Sequence, residues 1–295
     1  MESDVVRQQG FDVDGVAEID VALVAGRVRV HLVDEPGVHV ELRHDPSPGE
    51  SWTAGLNGLL NWVNNQFGTV PGQPSGPAEA VRDARVELSG ARLKVHASKA
   101  LPLRAVPLSV TVRAPLGSHV IAKTGSADVT VTGAAGRLEI QTGTGDVTTD
   151  QADAPSQVNS GSGKLRLGPM PGGLRAKTGS GDVEVSAIGG NTVIYTGTGD
   201  VWLGAVQDDV QVRTGGGDVT LADAAAGRIQ LGTGSGDVRV GVRPGVSAQV
   251  DLASNSGSAR SDLDVSDTPP ETEPALFITG RTTSGTALVT TATTA

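Results

Sequence analysis

The stretch TGSGDVEV, residues 178–185, sets two glycines and the carboxylate of Asp182 ahead of an apolar alternation, Val183 and Val185. Alone it reads as a phosphate-binding or catalytic loop. Its copies argue otherwise. The leading glycine recurs at Gly125, Gly143, Gly161, Gly179, Gly197, Gly215 and Gly234, in steps of 18 residues and a last step of 19. Weaker copies follow at Ser256-Gly257-Ser258 and Ser284-Gly285-Thr286. A fixed period held over this length marks a solenoid, in which each unit stacks on the next.

Each unit carries two short alternations. One follows the glycine turn, as at Val147/Thr149, Leu165/Leu167, Val183/Val185, Val201/Leu203 and Val219/Leu221. The other precedes the next turn, as at Leu138/Ile140, Leu174/Ala176, Thr192/Ile194 and Val210/Val212. Period two places such residues on one face of a strand. One unit cannot bury that face alone. Stacked in parallel register, about 4.8 Å apart, the units form inner ladders of Val, Leu and Ile. The connection rule favours a right-handed wind. The expected fold is all-β: a right-handed parallel β-solenoid with ~18-residue coils and one short helical insertion. The corner glycines are expected to supply positive φ. The aspartate at each strand start is expected to accept backbone N–H bonds in an Asx-type turn.

Composition fits this reading. Of 295 residues 37% are hydrophobic but only 2% aromatic, so the core must be aliphatic. The 41 glycines and 16 prolines would suggest disorder without the period. A net charge of −10 makes nucleic acid and anionic bilayers poor partners. With no cysteine, disulfides, thiolate metal sites and cysteine nucleophiles are excluded. The opening MESDVVRQQGFDVDG is charged, without the apolar segment of a secretory signal, and no stretch reaches the ~20 apolar residues of a spanning helix. The expected location is cytoplasmic, without direct membrane insertion.

The whole chain, 1–295, reads as a single β-solenoid domain. Residues 10–44 and 84–118 hold irregular N-terminal strands. Residues 45–83 are a helical and loop insertion. The regular repeats run over 119–260. An acidic, proline-rich loop and a last coil fill 261–295. Within the insertion, Trp52, Leu56, Leu59, Leu60, Val63 and Phe67 follow helical spacing, with Ser51 as N-cap. A cover for the solenoid is the leading reading of that helix, ahead of a docking element for a partner.

The run of T-G-[ST]-G-D-V units at 142–147, 178–183, 196–201 and 233–238, with looser copies at 124–129 and 214–219, resembles the toast-rack family, also known as the “putative adhesin” β-strand-repeat family and as domain of unknown function 4097. The resemblance covers roughly residues 10–295. It implies a right-handed β-solenoid and an interaction module linked to bacterial cell-envelope or stress regulation, and it brings no catalytic residues. The insertion at 45–85 and the lack of an envelope signal depart from the common arrangement.

Four features compete for a function. The turn carboxylates Asp128, Asp146, Asp182, Asp200, Asp218 and Asp237 form a ladder in which a cation is conceivable, with Asp146, Asp182, Asp200, Asp218 and Asp237 as the metal candidates. Calcium-binding β-rolls, however, use a nine-residue G-G-x-G-x-D pattern, and Lys164 breaks this ladder. Structural turn carboxylates are the favoured reading. A glycosidase would use two carboxylates in a cleft, but stacked aspartates meet that distance trivially and no nucleophile–base pair stands at a readable spacing. Gly163-Lys164 lacks the Ser/Thr and the helix of a phosphate loop. By strand parity, Val193, Tyr195 and Trp202 point away from the core, and they read equally as an apolar contact patch for a partner or as a surface that the 45–85 segment of the same chain covers. Trp52 and Trp62 are the partner-contact candidates in the insertion.

The reading is a non-catalytic scaffold or protein-binding module, no enzyme, with no cofactor, no nucleic acid and an unidentified protein partner. A homo-oligomer through the solenoid ends is a further expectation. The alternatives are a self-assembling, adhesin-like structural solenoid and a carbohydrate-binding or carbohydrate-active β-helix protein.

Overall fold

The computed structural model describes residues 5–46, 76–101, 103–263 and 274–293. Among them, 13 strands form one sheet and 12 form a second. Each regular coil gives one strand to each sheet. Leu174–Thr178 lies in the second sheet, a corner spans 179–182, and Val183–Ile188 lies in the first. After the opposite corner, Thr192–Thr196 returns to the second sheet. Successive coils pair in parallel at an offset of one repeat. Val183 stands between Leu165 and Val201, and Ile194 between Ala176 and Val212. The inward residues meet between the sheets in one continuous aliphatic core that includes Val185, Leu203, Ile194 and Val212. The fold is the expected all-β solenoid.

The corners work differently from the expectation. The motif glycines do not have positive φ; the left-handed glycines lie elsewhere, as Gly173 and Gly227 at the opposite corners. What forbids a side chain in the motif is the coil before it. A Cβ on Gly181 would overlap the carbonyl oxygen of Gly163, and one on Gly199 would overlap that of Gly181. A Cβ on Gly179 would stand 2.5 Å from the Gly161 oxygen. Glycine is required here by close backbone approach.

The motif threonine has a role that the alternation did not reveal. Thr196 Oγ1 accepts the Gly199 N–H of its own corner at 3.1 Å and donates to the Gly181 carbonyl of the coil before at 3.4 Å. Thr214 repeats this on Gly217 and Gly199, at 3.1 and 3.2 Å. Each buried hydroxyl is thus satisfied twice, once within the turn and once between coils.

Coil order in space departs from chain order at both ends. The first coil, Glu18–Leu23 and Gly26–Val33, lies inside the stack. Its strands pair on one side with Arg92–His96 and Leu108–Pro115, and on the other with His119–Thr124 and Asp128–Ala135. Residues 276–291, expected as the last coil, are not the end either. Leu276–Thr282 pairs with Gly227–Thr233 and with Ala248–Ser254, and Thr286–Thr291 pairs with Val238–Val242 and Ser258–Ser261. The end coil is 248–261. The reason is side-chain fit. Leu276, Ile278, Ala287 and Val289 fill an interior slot, whereas Ser258–Ser261 is exposed along its length.

Beyond the N-terminal coil the strands turn antiparallel. Val38–His44 pairs with Leu108–Pro115, Val6–Phe11 with Val38–His44, and Arg85–Ser89 with Arg92–His96. The helix expected over 51–67 lies outside the described residues, as do Trp52 and Trp62. The described helix is Pro77–Asp83. Proline opens it, and it buries Ala80 and Val81 in the same core. Arg7 ties its end down by donating from Nη1 to the Arg82 carbonyl at 3.2 Å.

Candidate functional site

The aspartate ladder is a staple between coils. Each Oδ1 accepts a backbone N–H from the equivalent residue one coil on: Asp146 onto Asp128 at 3.0 Å, Asp200 onto Asp182 at 3.1 Å, Asp218 onto Asp200 at 2.8 Å and Asp237 onto Asp218 at 2.8 Å. Carboxylates do accept backbone N–H groups, as expected, but across coils instead of within an Asx turn. Several second oxygens already face cations. Arg239 reaches Asp218 at 3.6 Å and Asp237 at 2.6 Å. Lys164, at the break, has no carboxylate to offer the next coil. Its N–H donates to Asp146 at 2.8 Å, and its ammonium pairs with Glu184 at 2.6 Å and Asp182 at 3.8 Å. Among the described residues no cluster of three or more His, Asp or Glu could hold a metal ion.

The expected apolar patch is split. Val193 and Tyr195 lie on the strand Thr192–Thr196 in the second sheet, and Trp202 lies on Val201–Val206 in the first. All three occupy outward positions, but the two sheets have opposite outer faces. The glycine turn read between the two strands is a corner that reverses the outward direction, which strand parity alone does not show. Trp202, 44% exposed, stands between Glu184 and Thr220, and its ring extends over Gly204. Ser186 and Ala222 lie beyond it, so the ring stands proud among small side chains.

One polar cluster was missed. Asp20, only 8% exposed, accepts from Arg92 Nη2 at 2.7 Å and contacts His96 Nε2 at 3.2 Å, while Arg92 also meets Glu18 at 3.1 Å. Burial pushes the Asp20 carboxyl up, but the hydrogen bonds from Arg92 and His96 outweigh it and hold the group below the usual carboxylate range. The cluster ties the strand Glu18–Leu23 to Arg92–His96. These residues are some 70 positions apart in the chain, so no spacing rule could join them. The described depressions are open. One, of about 540 Å³, is lined by Gln8, Glu35, His39, Glu41, Thr111 and Arg113 among others.

Residues 189–291 match the Toastrack DUF4097 family model. The toast-rack resemblance read from the T-G-[ST]-G-D-V units is borne out on that stretch. No curated protein matches the chain. Among solved structures, the chain is similar to a “putative adhesin” from Bacteroides fragilis, at 12% identity over 97% of each chain with a TM-score of 0.42. It is similar to a “putative lipid binding protein” from Parabacteroides distasonis, at 11% identity over 96% of each chain with a TM-score of 0.43. A “putative cell adhesion protein” from Clostridium sporogenes shares 8% identity over 98% of this chain and 100% of its own, with a TM-score of 0.22. Among the described residues, no helix is long and apolar enough to cross a membrane.

Proposed function

We propose that this toast-rack solenoid is a non-catalytic scaffold that binds a protein partner through the outer face of its first sheet. One observation carries the reading. The positions that repeat from coil to coil point inward or build corners: Val183, Val201 and Val219, or Thr178, Thr196 and Thr214. The positions that vary point outward: Glu184, Trp202 and Thr220 in one row. A rigid body with a constant interior and an individual surface is suited to presenting side chains in fixed places, not to closing around a substrate. Trp202 is the anchor, because an exposed indole among small neighbours offers a large apolar area at low ordering cost.

The test is affinity capture with cross-linking from the native host, using wild type, Trp202→Ser and Tyr195→Ser as separate baits. A protein held by wild type and Tyr195→Ser but lost with Trp202→Ser supports the site. Equal capture by all three, or none by any, removes it. A second reading, self-association, has one observation behind it. Among the described strands, Ala248–Ser254 and Ser258–Ser261 end the two sheets with unpaired parallel edges. Sedimentation equilibrium that finds only monomer at high concentration would remove it.

A further inference from the structure

The two outer faces treat their cations in opposite ways. On the first sheet the basic side chains of the regular coils are neutralised. Lys164 and Arg166 meet Glu184 at 2.6 and 3.5 Å, and Arg239 meets Asp237 at 2.6 Å. On the second sheet, the outward positions from Leu174–Thr178 to Leu276–Thr282 hold Arg175, Lys177, Arg213, Arg228 and Arg281 and no carboxylate. Arg175, Lys177 and Arg213 have no ionic or hydrogen-bonding partner among the described residues. Arg228 lies 5.7 Å from the centre of the Phe277 ring. Arg281 meets only Asp251, at 3.5 Å, with both side chains largely in water, a pair worth little. In a chain of net charge −10 this is a basic strip whose one ion pair is exposed.

The strip is ordered. One row across the strands runs Lys177, Tyr195, Arg213, Gly232, Arg281. Cations therefore alternate with a ring and a gap, two strand spacings or ~9.6 Å apart. The gap is not imposed by packing. A Cβ on Gly232 would meet nothing closer than 3.9 Å, unlike the corner glycines, and its φ is not left-handed. Gly232 instead floors a depression of about 350 Å³ between Arg213 and Arg281, bordered by Gln230 and Thr279. A second depression of about 170 Å³ shares Gln230 and continues past Gln211, Val193 and Arg228 to the corner residue Asp209, whose Oδ1 accepts the Arg228 backbone N–H at 2.7 Å.

We propose that this face binds an extended acidic polysaccharide laid across the strands, with a sugar carboxylate seated in the Gly232 notch between Arg213 and Arg281. The inference rests on the reading of the outer faces as binding surfaces and assigns a ligand class to the second one. Spaced guanidinium and ammonium groups match a chain with regularly spaced carboxylates. The amides of Gln211 and Gln230 and the hydroxyl of Thr279 match sugar hydroxyls, and the Tyr195 ring offers a platform for a sugar face. An acidic peptide would call for deep pockets for anchor side chains or a free strand edge, and the strip has neither.

The probe is polygalacturonate, titrated calorimetrically into the full chain at low salt, with dextran as the neutral control and poly-L-glutamate as the acidic peptide. The expected result is binding of polygalacturonate that weakens as salt is raised, with no heat from dextran. Arg213→Glu/Arg281→Glu should weaken it by about tenfold or more, with melting unchanged. Arg213→Gln/Arg281→Gln serves if the charge reversal disturbs folding. Gly232→Leu should fill the notch and weaken binding severalfold, while Arg29→Glu on the other face should leave it unaltered. Absence of polygalacturonate binding, or equal binding by the arginine variants, overturns the proposal. Equally tight binding of poly-L-glutamate overturns the glycan assignment and leaves the face as a binding surface. Loss of the Trp202 site with polygalacturonate still bound would remove only the protein-partner reading.

Discussion

The two ends of the solenoid begin with the same device and finish differently. At each end a coil near the terminus, 18–33 or 276–291, is slotted inside the stack, and strands from deeper in the sequence, 92–115 or 248–261, pair on its outer side, while Val6–Phe11 returns to the edge of the first sheet. Each slotted coil is held by neighbours on both sides, so it cannot detach without breaking two sets of strand pairings. The outer coil 248–261 is in turn tethered by chain at both of its ends, which lowers the entropy it gains by detaching. The ends diverge beyond this point. The N-terminal end adds antiparallel strands and a helix with Ala80 and Val81 buried. The C-terminal end stops on Ala248–Ser254 and Ser258–Ser261, where Val250 and Leu252 are only partly covered. Parallel coils always leave an edge like the one they cover, so closing a stack takes an element of another kind. The contrast predicts a gradient of consequence along the body.

The largest effect should come from breaking the middle and sparing the open end. Val185 has no exposed surface. Val185→Asp places an unpaired charge there and should cost more than about 4 kcal/mol, enough to abolish cooperative folding. Val250→Asp makes the same change in the end coil, where water can reach the carboxylate, and should cost about 1 kcal/mol. Denaturant melts of both variants measure the difference. Equal losses would show that the C-terminal end is as closed as the body.

Truncation after Leu263 tests the slotted order. The strands 248–254 and 258–261 pair only with residues 276–291 among the described strands. Removing the later coil should strip amide protection from 248–261 while 227–242 keeps most of its own, read by hydrogen exchange. In a stack built in chain order, 248–261 would stay protected. Retained protection would mean that this coil slides into the vacated slot.

Much of this was legible in the sequence. The 18-residue step placed the strands, and parity placed Val183, Val185, Val201 and Leu203 inside. What escaped was everything that depends on neighbours one coil away. A glycine forced by positive φ and a glycine forced by a carbonyl overhead look alike in a sequence. So do two weak repeats, SGS and SGT, whose order in space is set by fit. The signal was present in the inward residues, since 276–291 carries the apolar pairs Leu276/Ile278 and Ala287/Val289 at period two and SARS carries none. Tyr195 and Trp202 lie seven positions apart, yet their side chains face opposite solvents because the corner between them reverses the outward direction.

Acid should separate the ends by a smaller margin. At the N-terminal end the slotted coil is tied to the outer one by nearly buried Asp20 on Arg92 and His96; at the C-terminal end the tie is the exposed Arg281–Asp251 pair. The folded state holds the Asp20 carboxyl below its unfolded value. Its contribution is therefore fully present above about pH 4 and fades as pH falls through the folded value. Asp20→Asn should cost about 1 kcal/mol at neutral pH, and the gap to wild type should shrink below about pH 4. Asp251→Asn should alter neither stability nor its pH dependence measurably. A gap for Asp20→Asn that persists unchanged to pH 2 would show that the side chain acts by shape and not by charge.

The smallest effect runs the other way and asks how well the middle is satisfied. Thr149 stands inward in the row Val131, Thr149, Leu167, only 4% exposed, and its hydroxyl finds no hydrogen-bond partner. The corner residues Thr196 and Thr214 show the contrast, since each donates and accepts. A buried hydroxyl without a partner loses its bonds to water and regains nothing. Valine has nearly the same shape without the polar atom, and β-branching suits the strand. Thr149→Val should therefore stabilise the protein by about 1 kcal/mol, seen as a higher denaturant midpoint at unchanged slope. A loss of stability instead would mean that Thr149 does have a polar partner in solution. The aliphatic wall of the regular coils would then be less dry than the rows on either side of it.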